Sequence, residues 1–129
     1  SDARVKKDIQ SNVPGLSFID KLRPVTYHLD MKAQADITGT SYDASAAKES
    51  EKILQSGFIA QEVEKAAKET GYDFNGVYTP KNEKDTYGLN YSSFVVPLVK
   101  AVQEQQKQIE EQQKEINELK ETIKTLIRR

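Results

Sequence analysis

By residue type, little in this chain could do chemistry unaided. It has no cysteine, which rules out a disulfide framework and thiolate metal sites. The single histidine, His28, falls on the polar side of a short alternating run and reads as a surface group. Hydroxyls, amines and carboxylates remain. Ser1 and Lys6 stand near one another, yet a serine followed by Asp2 is by itself an ordinary N-cap, and Lys6 by itself a solvated charge. Gln61 and Glu62 read as capping or surface groups, and the tyrosines as core and loop anchors. No cofactor and no metal site is expected.

The elements that must position these groups divide near Phe94. Beyond it the chain has no glycine and no aromatic residue and is dense in Gln, Glu and Lys. Val102, Ile109, Ile116 and Ile123 recur at heptad spacing, with Leu98, Gln105, Gln112, Leu119 and Leu126 at the complementary positions. These are a and d residues sustained for about four repeats. The stripe is too narrow, and the other faces too polar, for burial in a globular core, so the helix needs partner helices. Isoleucine at a with leucine at d leans towards two strands, whereas glutamine layers set register and strand number at a cost in stability. The heptads leave dimer and trimer open. Lysines and arginines of this helix are interleaved with glutamates, and the formal net charge is -1. Neither feature suggests nucleic acid or an anionic membrane as partner. No run approaches the roughly 20 apolar residues of a membrane span, and no signal-peptide core is present, so a soluble chain is expected.

The preceding part, residues 1–93, reads as short elements of mixed type. Val5 and Ile9 suggest a first helix, ended by Asn12-Val13-Pro14-Gly15. Leu16, Ile19 and Leu22 allow another helical turn or two. Val25, Tyr27 and Leu29 alternate as a strand. Lys32 to Lys52 is small and polar around Gly39, and reads as a long loop. Phe58 and Ile59 end a short strand, and Ile59, Val63, Ala66 and Ala67 mark an amphipathic helix closed by Gly71. Tyr72 to Thr86 reads as a second loop. Tyr87, Leu89 and Tyr91 alternate as a strand, Ser92 suits an N-cap, and Pro97 falls early in the long helix or marks a kink.

Three segments in this order resemble the intramolecular chaperone domains at the C-termini of endosialidase tail spikes and related phage fibres. They also resemble the self-cleaving domain of the myelin regulatory factor. The segments are Ser1-Asp2-Ala3-Arg4-Val5-Lys6, Leu22-Arg23-Pro24-Val25-Thr26-Tyr27, and Gly57-Phe58-Ile59-Ala60-Gln61-Glu62-Val63 followed by Leu89-Asn90-Tyr91. Where some relatives carry a histidine just before the glycine of the third segment, this chain has Gln55-Ser56. The resemblance implies a homotrimer that helps the upstream stalk of its own precursor to fold and then cuts itself off before the motif serine. Ser1 would be the nucleophile and Lys6 the general base. A released domain would start at Ser1, as this chain does. The setting implied is phage virion assembly in the bacterial host cytoplasm, with release from the mature fibre.

That chemistry makes demands on the residues. Free lysine has a pKa of about 10.4 and a useful base needs one of about 7–8, a difference of about 4 kcal/mol. Burial, Arg4 and Lys7 favour a neutral amine, while Asp2 and Asp8 oppose it. Residues five apart share no helix face and point to opposite sides of a strand. Ser1 and Lys6 can therefore meet only through an intervening turn or across a subunit boundary. Attack on the preceding carbonyl would give an ester that water hydrolyses, once per chain.

The expected fold is α+β: a small head over residues 1–93 with two long loops, and residues 94–129 as a helix in a parallel trimeric coiled coil. The loops at Lys32–Lys52 and Tyr72–Thr86 are candidate arms onto the upstream stalk. Two rival readings are a non-cleaving trimerisation or assembly module and a coiled-coil adaptor of a surface adhesin.

Overall fold

The computed structural model describes residues 1–129. Helix α1 (Leu16–Ile19) leads to strand β1 (Val25–Tyr27), then α2 (Met31–Thr38), α3 (Ala44–Glu51), strand β2 (Gln55–Gly57) and α4 (Ala60–Glu69). Strands β3 (Val77–Tyr78) and β4 (Gly88–Leu89) follow, and a 3₁₀ turn at Tyr91–Phe94 runs into the long helix α5 (Val95–Ile127). The fold is thus mixed helix and strand with a long C-terminal helix. Both sheets are two-stranded and antiparallel: Val25 lies opposite Gly57, and Val77 opposite Leu89.

Aromatic rings joined by α4 form the core. Phe18, Val63, Ala66, Ala67, Phe74 and Phe94 are buried together. Phe74 meets Phe18 at 5.1 Å and Phe94 at 4.9 Å between ring centroids, distances at which tilted and edge-on pairs attract. Alpha4 presents Val63, Ala66 and Ala67 at helical spacing and ends in a Schellman motif. Gly71 has φ +65, and the Tyr72 and Gly71 N–H groups donate to the Ala67 and Lys68 carbonyls. The amphipathic helix and its glycine terminus are as the sequence indicated.

Three expectations are corrected. The segment from Lys32 to Lys52 is a helical hairpin and not a loop. Asp30 accepts a hydrogen bond from the Ala33 N–H at 2.9 Å, and Asp43 accepts from Ser45 and Ala46, so each helix has an N-cap. Small residues suggested a loop, but alanine is the strongest helix former. Ala35 and Ala47 are buried, each on one of the paired helices. Residues 72–86 include β3, and the turn back to β4 is tied by Asp85, which accepts from the Tyr78 hydroxyl and from the Lys81 and Thr86 N–H groups. The first helix proposed through Val5 and Ile9 is only a 3₁₀ turn at Ala3–Val5. Val5 and Ile9 are exposed, and Asp8 has φ 55, a left-handed conformation that interrupts a helix.

The entry to α5 also differs from expectation. Ser92 lies inside the 3₁₀ turn and its hydroxyl donates to Asn90, so it caps nothing. Pro97 is buried within the first helical turn, where its missing N–H would have no partner anyway. The 33-residue α5 extends about 50 Å, far beyond the head.

Candidate functional site

The first motif forms an exposed arm. Asp2 caps the 3₁₀ turn through the Arg4 N–H at 2.9 Å and grips the Arg4 guanidinium with contacts of 3.1 and 2.7 Å. This pairing holds the Asp2 carboxyl below its usual range and raises the Arg4 guanidinium. The two charges largely cancel, so neither acts strongly on its neighbours. The turn lies between Ser1 and Lys6, with the Lys6 N–H closing onto the Ala3 carbonyl at 3.2 Å. A turn, one of the two routes by which these residues could meet, is therefore present between them. Within one chain, however, both side chains are exposed and no hydrogen bond joins them.

The other motifs converge on one place. Gly57 lies opposite Val25 in the β1–β2 ribbon, joining the second motif to the third. Arg23 donates to both Glu62 carboxylate oxygens, at 3.0 and 2.7 Å, a fork that holds the Glu62 carboxyl below its ordinary value. Tyr91 closes the set, since its hydroxyl accepts from the Phe58 N–H at 3.1 Å. A Cβ on Gly57 would sit 2.2 Å from that hydroxyl, so any larger residue would displace the Tyr91 ring from this bond. Phe58 stacks on Phe94 with ring centroids 5.2 Å apart. These motif residues build the head, and none of them faces the Ser1–Lys6 turn through a hydrogen bond.

Apart from Tyr91 and Phe94, this arrangement lies within the residues a family model matches: residues 1–72 fit the peptidase family described as chaperone of endosialidase. The chain belongs to that family. Membership supports an intramolecular chaperone role, and the peptidase designation suggests self-cleaving activity. No curated protein and no solved structure matches the chain. The matched span includes the Ser1–Lys6 arm, the Arg23–Glu62 fork and the α2–α3 hairpin.

The heptad residues lie outside that span. Leu98, Val102, Ile109, Ile116, Leu119, Ile123 and Leu126 are all exposed on α5, as are Gln105 and Gln112. Val95, one heptad before Val102, is exposed too and extends the a series by a repeat. No helix of the chain is long and apolar enough to cross a membrane.

Sequence reading missed the Arg23–Glu62 fork, whose partners are 39 positions apart, and the Tyr91 hydroxyl, whose acceptor role has no local pattern. His28 is explained structurally: its Nδ1 donates to the Glu51 carbonyl at 2.8 Å and ties β1 to the end of α3.

Proposed function

We propose that the chain assembles as a parallel homotrimer through α5, assists folding of a fibrous stalk that precedes Ser1 in its own precursor, and then releases itself. The observation that carries this reading is the family match across residues 1–72, the span in which Ser1 and Lys6 lie. The unpartnered apolar seam of α5 favours oligomerisation, because a surface helix with that stripe gains stability only against other helices. The parent would be a phage tail spike or fibre assembled in a bacterial host.

In this mechanism the Lys6 amine takes the Ser1 hydroxyl proton as Oγ attacks the preceding carbonyl carbon. The peptide C–N bond breaks, and the departing Ser1 amine takes the proton back from the Lys6 ammonium. The upstream acyl group is then held as an ester on Oγ, which water hydrolyses to a carboxylate and a free hydroxyl. One chain performs one turnover. Ser1 and Lys6 are exposed and unjoined in a single chain, and in the assembled trimer a neighbouring subunit would supply the desolvation that a neutral lysine needs. That couples cleavage to assembly.

The test is a precursor carrying upstream residues, wild type beside Ser1→Ala. A fragment starting at Ser1 in the wild type alone supports the reading. An intact wild-type trimer favours a non-cleaving assembly module, and cleavage of a monomer at the trimer rate removes the coupling.

A further inference from the structure

The base of the Ser1–Lys6 arm packs along the long helix, and one side-chain hydrogen bond clasps it there. The Leu16 N–H, at the start of α1, donates to the Glu104 carboxylate at 2.8 Å across 88 positions of sequence. Such a charge-assisted bond satisfies a helix-terminal amide that otherwise has no partner. Beside it, Gly15 is buried against α5. A Cβ there would lie 2.7 Å from the Ala101 nitrogen, 2.9 Å from the Lys100 carbonyl carbon and 1.9 Å from Glu104 Oε1. Phe18, wholly buried, fastens the other end of α1.

Upstream of the clasp every residue from 1 to 12 is exposed, and the side-chain hydrogen bonds there are local, Asp2 with Arg4 and Asn12 with Gln10. Pro97, Ala101 and Glu104 follow one face of α5 at i, i+4 and i+7, and Pro97 and Ala101 are buried. That face is not the stripe of a and d residues. Alpha5 can therefore hold the arm on one side and meet partner helices on the other.

We infer that Glu104 is a positioning residue for self-release, fixing the arm to α5 so that helix assembly sets where Ser1 and Lys6 lie. The inference rests on the cleavage reading above. Packed helices are about 8–10 Å apart. The nine residue steps from Lys6 to Gly15 can span about 30 Å at about 3.3 Å each. The arm can thus reach a neighbour, and loosening its base at the clasp would widen the volume it samples and lower the effective concentration of the reacting groups.

The experiment uses the upstream-extended precursor as a trimer and follows first-order appearance of the fragment starting at Ser1. Glu104→Ala should slow release about tenfold or more while the trimer mass and melting temperature are kept. Glu104→Gln, which keeps an acceptor oxygen, should restore the rate to within about threefold of wild type. Hydrogen exchange at the Leu16 amide should quicken in the alanine variant and not in the glutamine one. If Glu104→Ala does not assemble, Glu104→Asp, with the charge kept and the reach shortened, must show the slowing in intact trimer. Release at the wild-type rate from a Glu104→Ala trimer overturns the inference alone, and so does slowing that only tracks lost trimer or lost melting temperature. A wild-type precursor that never cuts overturns the cleavage reading and this inference together.

Discussion

The head and the long helix bury their apolar residues by different means. In the head, Phe18 and Val63 are 0% and 1% exposed within a single chain. On α5, Val102 and Leu119 remain 61% and 62% exposed although they recur as regularly as any core residue. Only twelve of the 129 residues are buried, so the head's core is thin for the length of chain it carries. One polypeptide closes the first region, whereas the second leaves its apolar stripe open, to be closed in the proposed assembly by copies of itself. Stability of the head should be independent of protein concentration, and stability of the α5 assembly should not be.

The sharpest way to break this contrast is Phe18→Ala. Truncating a fully buried phenylalanine costs about 3–5 kcal/mol, enough to unfold a marginal head. Denaturation should show the same loss at every protein concentration, while a fluorescent label on α5 should still report association. Unfolding that depends strongly on concentration would mean that the head, too, is held by its neighbours.

Ile116→Ala tests the other side. In the proposed trimer it should cost about 2–4 kcal/mol per chain and shift the monomer–trimer balance in sedimentation, with the melting of the head unchanged. An unaltered association constant would remove Ile116 from the seam.

The smallest effect expected is at the Arg23–Glu62 fork. Arg23 holds the Glu62 carboxyl below its ordinary value in the folded chain. A depressed carboxylate contributes stability that is fully present above its unfolded pKa and is lost as pH falls through the lower folded one. Arg23→Ala should therefore lower the melting temperature slightly at neutral pH, and the difference from wild type should close in acid. Both groups are well exposed, so salt should shrink the effect as well. A gap that persists at low pH would point to packing by the arginine stem instead.

Some of this was legible early because it is local. The heptads of α5, the α4 stripe and the glycine that ends it are patterns within a few turns of chain, and each appears where the periodicity put it. Phe18 escaped notice because its neighbours Leu16, Ile19 and Leu22 carried the visible spacing, although Phe18 alone is fully buried. The α2–α3 hairpin was misread because its alanines bury too little surface to show a strong apolar period, while the two aspartate caps that start its helices are single residues. In the candidate site, Ser1 and Lys6 come from the motif; a 3₁₀ turn lies between them, but no hydrogen bond joins them within the chain.

The sequence by itself determined the long helix, the residues of its apolar stripe and the segments that resemble the family, because periodicity and short motifs are properties of neighbours along the chain. Tertiary structure alone decided that Arg23 grips Glu62, that the Tyr91 hydroxyl fills the space Gly57 leaves, and that Glu104 clasps the base of the arm. Those contacts join residues 33 to 88 positions apart. Their formation depends on how the aromatic core brings the elements together, and that packing has no signature in the spacing of any one segment.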